Sequence, residues 1–307
     1  MFFNTKLQLI RALRITWKVN LWMIVLCVGA YLLETYVVRG RIHIPGAIPA
    51  LLATSLAFFI GFNNNQGYSR WWEARTAWGG IMNGTRLWTR SILAYTQVAQ
   101  QEALHDHTTH VGDVALRMIR RNLGFLHAFK SALRDTNEQV YRNYLDPADL
   151  EALTGCTNLS AALLDLQAHD LQKLREAGQV DGFTFLALHD LLVRFSDNMG
   201  KCERIKNTLF PATYLYFTQV FIWLMIAVLT MDIVEEAGVW AIGLSWLVGF
   251  VFHVTHWNGL SLMNPFDHNP ACVPLDSLLH TVEINVLQML KFSEVPNPVE
   301  ASNGESV

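Results

Sequence analysis

Charge is scarce in this chain: Asp, Glu, Lys and Arg make up 16% of its 307 residues, against about 25% in ordinary soluble proteins. With 51% apolar residues, that shortage argues against a plain soluble domain and makes a lipid bilayer the expected solvent. The net charge is −3 and no long basic block occurs, so a nucleic-acid partner is not expected. The four cysteines, Cys27, Cys156, Cys202 and Cys272, lie far apart without a Cys-x-x-Cys pair, which leaves isolated thiols rather than a zinc site or a disulfide framework. No strand pattern stands out. Gly-x-Ser-x-Gly, a phosphate-cradling glycine loop and His-Glu-x-x-His are all missing, so neither enzymatic activity nor a cofactor is expected. A cleavable signal is not expected either, because Lys6, Arg11, Arg14 and Lys18 interrupt the start and the first long apolar run begins near Val19.

What the chain does have is long apolar runs. Residues 19–38 give about 20 residues, the length that crosses a hydrocarbon core of roughly 30 Å; Glu34 near the end of the run is expected to reach the headgroups. Residues 48–62 form a shorter apolar helix, punctuated at its start by Pro45 and Pro49. Residues 210–231 and 239–262 give two further spans, separated by Asp232, Glu235, Glu236 and Gly238. Four crossings place both termini on one side. Lys6, Arg11, Arg14 and Lys18 precede the first span, Arg70 and Arg75 follow the second, and Lys201, Arg204 and Lys206 precede the third; this makes that side cytoplasmic, with Arg39 and Arg41 counting the other way.

From about residue 70 to 207 the sequence is polar with helical periodicity. Leu116, Ile119, Leu123 and Leu126 recur in one stretch, and Leu186, Leu188, Leu191, Leu192 and Phe195 in another. These read as cytoplasmic helices. Asp146-Pro147 and Asp181-Gly182 mark helix starts, an Asp side chain being able to accept the first free N–H groups. Another helix is expected over about 276–290, and the tail over 295–307 is expected to be disordered.

The most informative segment is residues 48–90. Thr54, Phe58 and Phe62 recur at intervals of four, which places them on one helix face. That helix continues without a break into Asn63-Asn64-Asn65-Gln66-Gly67-Tyr68-Ser69-Arg70-Trp71-Trp72-Glu73-Ala74-Arg75. Copies of such a helix around an axis form a narrow apolar throat with water on both sides, which is the physics of a channel rather than of an active site.

The run from Gly61 to Arg75, with Cys202-Glu203-Arg204-Ile205-Lys206-Asn207-Thr208 and Asn264-Pro265-Phe266, resembles the bestrophin family in its bacterial branch over nearly the whole chain. The resemblance implies an all-α membrane protein with four transmembrane helices and a cytoplasmic helical extension, residues 1–294 forming a single channel domain. It also implies a homopentamer with one axial pore. By position, the family's membrane constriction falls on Thr54, Phe58 and Phe62, Thr54 replacing the larger apolar residue common at the outermost site. The cytoplasmic constriction falls on Phe183. Arg70, Trp71, Trp72, Glu73 and Arg75 are expected to anchor and pack the segment where the pore helix leaves the membrane, with Glu73 paired to an arginine. Small monovalent ions are the implied cargo, chloride or other anions first, with monovalent cations as the alternative. The expected location is the bacterial inner membrane.

Eukaryotic members hold calcium in an acidic run soon after Asn-Pro-Phe, and this chain departs from that. It offers only Asp267, Asn269 and Asp276 as weak metal candidates, where calcium takes six to eight oxygens, and turn or cap duty explains them better. Three rivals have weaker support. A haem redox protein would use His253 and His256, but the first three spans contain no histidine for a facing ligand. An enzyme would draw on His189-Asp190 or on His105, His107 and His110, which suit polar surface better. A secondary transporter would show paired repeats, and the spans show none.

Overall fold

A computed structural model describes residues 13–38, 44–96, 113–208, 211–269, 271–292 and 295–297. Among them every regular element is helical and no strand occurs. In chain order the helices are α1 (Trp17–Leu32), α2 (Ala47–Tyr95), α3 (Asp113–Arg134), α4 (Pro147–Ala152), α5 (Leu159–Glu176), α6 (Gly182–Asn207), α7 (Ala212–Ala237), α8 (Trp240–Met263) and α9 (Leu275–Met289). Leu33–Val38 continues α1 as a π-helix, and Val140–Tyr144 is a 3₁₀ turn. Two compact units emerge, Met1–Trp71 with Leu209–Pro265 and Trp72–Thr208 with Phe266–Val307. Helix α2 gives its first half to one and its second half to the other.

In the first unit, Met23 and Cys27 of α1, Leu56 and Ile60 of α2, and Ile222, Met225 and Ile226 of α7 form the core, with Trp246, Val248 and Phe252 of α8 against it. Among the described residues three helices, Trp17–Val38, Ala47–Tyr95 and Thr213–Ala237, are long and apolar enough to cross a membrane. The expected fourth span, α8, has 24 residues and no charge, but His253, His256 and Asn258 reduce its apolar character. Two expectations need correction. Glu34, in the first turn of the π-helical segment, is only 5% exposed and so is buried within the unit rather than extended to headgroups. Asp232, Glu235 and Glu236 belong to the last turns of α7, because nothing breaks the helix before Gly238, whose φ of 55° makes the turn. Lys6, Arg11, Arg39, Arg41 and Phe210 lie outside the described residues.

In the second unit α3 is the central helix, buried on every side from Arg121 to Ser131. Phe125 and Phe129 stack on one another, and Trp78 of α2 stacks on Phe129. Helix α6 presses against α2 at two glycines: a Cβ on Gly84 would stand 2.9 Å from the Phe195 ring, and one on Gly80 would stand 2.8 Å from the Asn198 amide. Asp181 caps α6, accepting from the backbone N–H of Phe183 at 2.7 Å and of Thr184 at 3.0 Å. Asp146 precedes α4 without making a side-chain cap; Pro147 at the first position already lacks an N–H to be capped. Leu188, Leu192 and Phe195 are buried as their spacing predicts, whereas Leu186 is exposed. Cys27 and Cys202 are buried free thiols, Cys156 is exposed, and Cys272 is half-buried. The Cys202 thiol is pushed up to about 12 by burial and by Glu203 and Glu73, so it stays protonated and unreactive. Of the tail over 295–307, expected to be disordered, residues 295–297 are described, His280 Nε2 lying 2.9 Å from the Asn297 carbonyl oxygen, and the remainder lies outside the described residues.

Charge enters this core only in pairs. Arg121, 2% exposed, donates to Asp149 at 2.9 and 2.6 Å, to Asp170 at 2.8 Å and to the Leu166 carbonyl at 3.1 Å. Burial opposes the charge on Arg121, but the bonds and charges of Asp149 and Asp170 outweigh it and raise its pKa. Burial likewise pushes Asp170 up, and Arg121 with Arg117 overrides it, holding the carboxyl below its usual range. His127, stacked on Tyr144 at 5.0 Å, is lowered by burial first of all.

Arg121→Met should therefore destabilise the second unit by about 3–5 kcal/mol, because two buried carboxylates lose their counter-ion; thermal unfolding of the purified protein checks it. Acid should act in two windows. His127 resists protonation when folded, so stability falls first as pH drops below about 6.5. Asp170 is depressed, so its contribution is complete above about 3.9 and drains below it. In His127→Leu the fall in melting temperature across the first window should be smaller than in the wild type, while the second window is unchanged.

Candidate functional site

Helix α2 has two faces. Leu56, Ile60, Asn63 and Gly67 are buried inside the first unit, while Thr54, Phe58 and Phe62 point away from it. Phe58 is 71% exposed and Phe62 46% exposed within the protomer. The Thr54 hydroxyl donates back to the Ala50 carbonyl at 2.8 Å, so it presents an oxygen and a methyl rather than a free donor. The rings are not loose. Phe58 meets Phe59 edge to face at 6.0 Å, Phe59 meets Tyr214 of α7 in the same way at 5.9 Å, and Phe62 leans on Tyr214 at 6.4 Å. The three residues with four-residue spacing thus lie together on one bare apolar strip, backed by an aromatic cluster.

Below the strip, α2 is held to α8 by contacts of its other face. Asn64 Nδ2 donates to the Thr255 carbonyl at 3.2 Å. Gly67 allows a close approach, since a Cβ there would stand 2.8 Å from the Gly259 carbonyl oxygen. Arg70 Nε donates to the Met263 carbonyl at 3.0 Å, giving the C-terminal end of α8 both a hydrogen bond and a favourable charge. Trp71 stacks on Tyr68 at 6.1 Å. In the second unit Trp72 is exposed, Arg75 is half-buried, and Glu73 forms an ion pair with Arg204 of α6. The sequence marked Arg70 and Trp71 as packing residues but did not reveal the glycine crossing; the signal was Gly67, alone inside a helical pattern, faced by Gly259 in another.

Phe183 stands in the first turn of α6, 90% exposed, directly after the Asp181 cap. Asp181 is held below the ordinary carboxylate range by its hydrogen bonds to Thr184 and Phe183, as a cap in the charged form should be. His189 stacks on Phe185, and Asp190 pairs with Arg194 at 2.8 Å, so these two residues form no catalytic pair. His105, His107 and His110 lie outside the described residues.

The weak metal candidates separate. Asn269 Oδ1 accepts from the Ala271 N–H at 2.9 Å, and its own N–H donates to the Asp267 carbonyl at 2.8 Å, which is turn duty. Asp276 accepts from Lys130 at 2.9 Å and is paired with Arg134 as well. Burial raises this carboxyl, and the two cations overrule it, leaving its pKa lowered. Lys130 also holds Glu138 at 2.6 Å, and Tyr144 donates to Glu283 nearby on α9. Among the described residues no cluster of His, Cys, Asp and Glu is fit to hold a metal ion.

The chain matches the model for bacterial/fungal bestrophin protein over residues 3–288. The voltage-dependent anion channel-forming protein YneE of Escherichia coli O157:H7 is 27% identical over 252 residues, 81% of this chain and 78% of that one. A Nostoc protein, alr2987, also named voltage-dependent anion channel-forming, is 26% identical over 260 residues, 84% of this chain and 80% of its own. Among solved structures, a mutated bestrophin homologue from Klebsiella pneumoniae superposes with a TM-score of 0.78 at 24% identity, covering 88% of this chain and 97% of that one.

Gly67→Ala should force α2 and α8 apart, because the obstacle is backbone and cannot swing aside. A loss of about 1–3 kcal/mol is expected, with a lower melting temperature in detergent; Gly61→Ala, where a Cβ meets nothing within 4 Å, is the matched control expected to change little.

Proposed function

The chain belongs to the bacterial and fungal bestrophin family, and from that premise we propose that five copies assemble around one axis into a membrane channel for small anions such as chloride. The observation that carries the reading is the Thr54, Phe58 and Phe62 strip: three residues on the face of α2 opposite the packed Leu56, Ile60 and Asn63, left exposed by the protomer itself. Within the protomer Phe58 is 71% exposed and meets only its neighbour Phe59 among aromatic rings. Around an axis, the same three residues become rings of an apolar neck.

In this reading α1, the first half of α2, α7 and α8 cross the bilayer of a bacterial inner membrane with both termini in the cytoplasm. The second unit then forms the cytoplasmic extension, residues 1–294 making up one channel domain. Phe183 rings a second constriction at its exit. An ion cannot shed its water entirely among phenyl rings, since dehydration costs far more than thermal energy, so the neck conducts when wide enough for a partly hydrated ion. Phenyl edges are positive, and rings turned edge-on to the axis favour anions. The anion-channel names of the relatives support that sign. Arg70, Trp71, Trp72, Glu73 and Arg75 hold the helix junction in place and do not meet the ions.

Purified protein in planar bilayers with asymmetric potassium chloride should give a reversal potential near that of chloride; a value at the potassium potential would replace the anion reading with a cation-selective one, and the absence of current would remove the channel. Phe58→Ala combined with Phe62→Ala should raise unitary conductance severalfold or weaken ion discrimination. Unchanged currents would place the barrier elsewhere.

A further inference from the structure

Helices α2 and α8 run parallel where they meet. Asn64 reaches the Thr255 carbonyl, and three residues further along Gly67 lies against Gly259 and Leu262. One turn before Gly67 on the same face stands Asn63, and one turn before Gly259, whose Cβ would stand 3.3 Å from Asn64 Cα, stands His256, so the two side chains lie on neighbouring turns of the same crossing. His253 lies a further turn back on the buried face of α8. Asn63 and His256 are each 2% exposed. Neither amide atom of Asn63, neither ring nitrogen of His256, and not Nδ1 of His253 has a protein partner.

The chemistry of these atoms selects what they can hold. The Asn63 oxygen only accepts and its amide nitrogen only donates, while a neutral imidazole offers one of each. A bare anion satisfies the donors and strands the acceptors; a metal ion satisfies the acceptors and meets the amide N–H₂ with its own positive charge. Water alone both donates and accepts at every one of these positions. We propose that the protomer encloses an internal hydration site, water molecules bridging Asn63 of α2 to His256 and His253 of α8. The site is distinct from the axial neck: it lies on the opposite, buried face of α2 and is complete within one subunit. At the contact that fixes α2, the helices are then joined by a water bridge beside the direct Asn64 bond, which lets the helix shift slightly without leaving a buried polar group bare.

Two measurements on the full-length protein test it. In a double-mutant cycle, Asn63→Leu and His256→Leu should each lower the melting temperature by several degrees, and the double variant should lose clearly less than their sum, since removing one side strands the other while removing both leaves only His253 to be satisfied. Additive losses would overturn the shared site. In lipid bilayers, water-edited solid-state NMR of the wild-type protein should show polarisation passing from water to the His256 ring nitrogens as readily as to an exposed histidine. Coupling in the cycle without that transfer would mean a direct Asn63 to His256 contact and would equally overturn the hydration site.

Discussion

Everything in this molecule is constrained by one unbroken helix. Helix α2 has 49 residues, roughly 70 Å at 1.5 Å per residue, while a bilayer core is about 30 Å thick. A helix of that length is more than twice what a bilayer core needs, and its sequence changes after Phe62, from leucine, alanine and phenylalanine to asparagine, arginine and tryptophan. Its hydrogen bonds continue through the change, so no loop is exposed at the boundary and no backbone group is stranded there. The same continuity fixes the azimuth of every side chain along it. Once Leu56, Ile60 and Gly67 are committed to packing, Thr54, Phe58 and Phe62 have to face away from the protomer.

Polar burial obeys the same accounting in both units but with different materials. In the second unit full charges are taken inside and neutralised on the spot, Arg121 by Asp149 and Asp170. Breaking one partner there is expensive because the other charges remain. In the first unit, Glu34 apart, the buried polar groups are hydroxyls, amides and imidazoles, and on α8 they share a face with small residues such as Gly249 and Gly259. Small residues bring helices close, and neutral polar groups add direction without a large desolvation cost. The division fits a chain whose two halves have different surroundings.

Much of this was legible in the sequence, and what was not has a physical reason. Apolar runs and four-residue spacing gave the helices and the bare strip, because burial on one face leaves a period. Asp232, Glu235 and Glu236 look like a break between two spans, since charges near a span boundary resemble a stop, but the helix runs on through them and ends only at Gly238, with its positive φ. The apolar residues of α3 recur with a helical period that marks one face, yet the helix is buried all round from Arg121 to Ser131, and its arginine and lysine carry no local sign of the distant carboxylates on α4, α5 and α9 that meet them. Pairings across 28 to 146 positions leave no local pattern. Glycine crossings are equally silent, because the relevant fact is what approaches the missing side chain.

The fate of Asp276 shows how such pairings settle a functional question. A carboxylate in the first turn of a helix after Asn-Pro-Phe suggests a cation ligand, and in one sense it is one: Lys130 and Arg134 supply the positive charge from α3. A divalent ion arriving at Asp276 would have to displace two bound cations, one of them an arginine that never deprotonates, and would gain few oxygens in return because Asn269 is already spent on a turn. The link between α9 and α3 is therefore made by protein charges whose concentration is fixed. A bond of that kind holds the two helices together whatever the calcium level around them, and its only solvent-controlled weakness is acid strong enough to protonate a carboxyl whose pKa is already depressed.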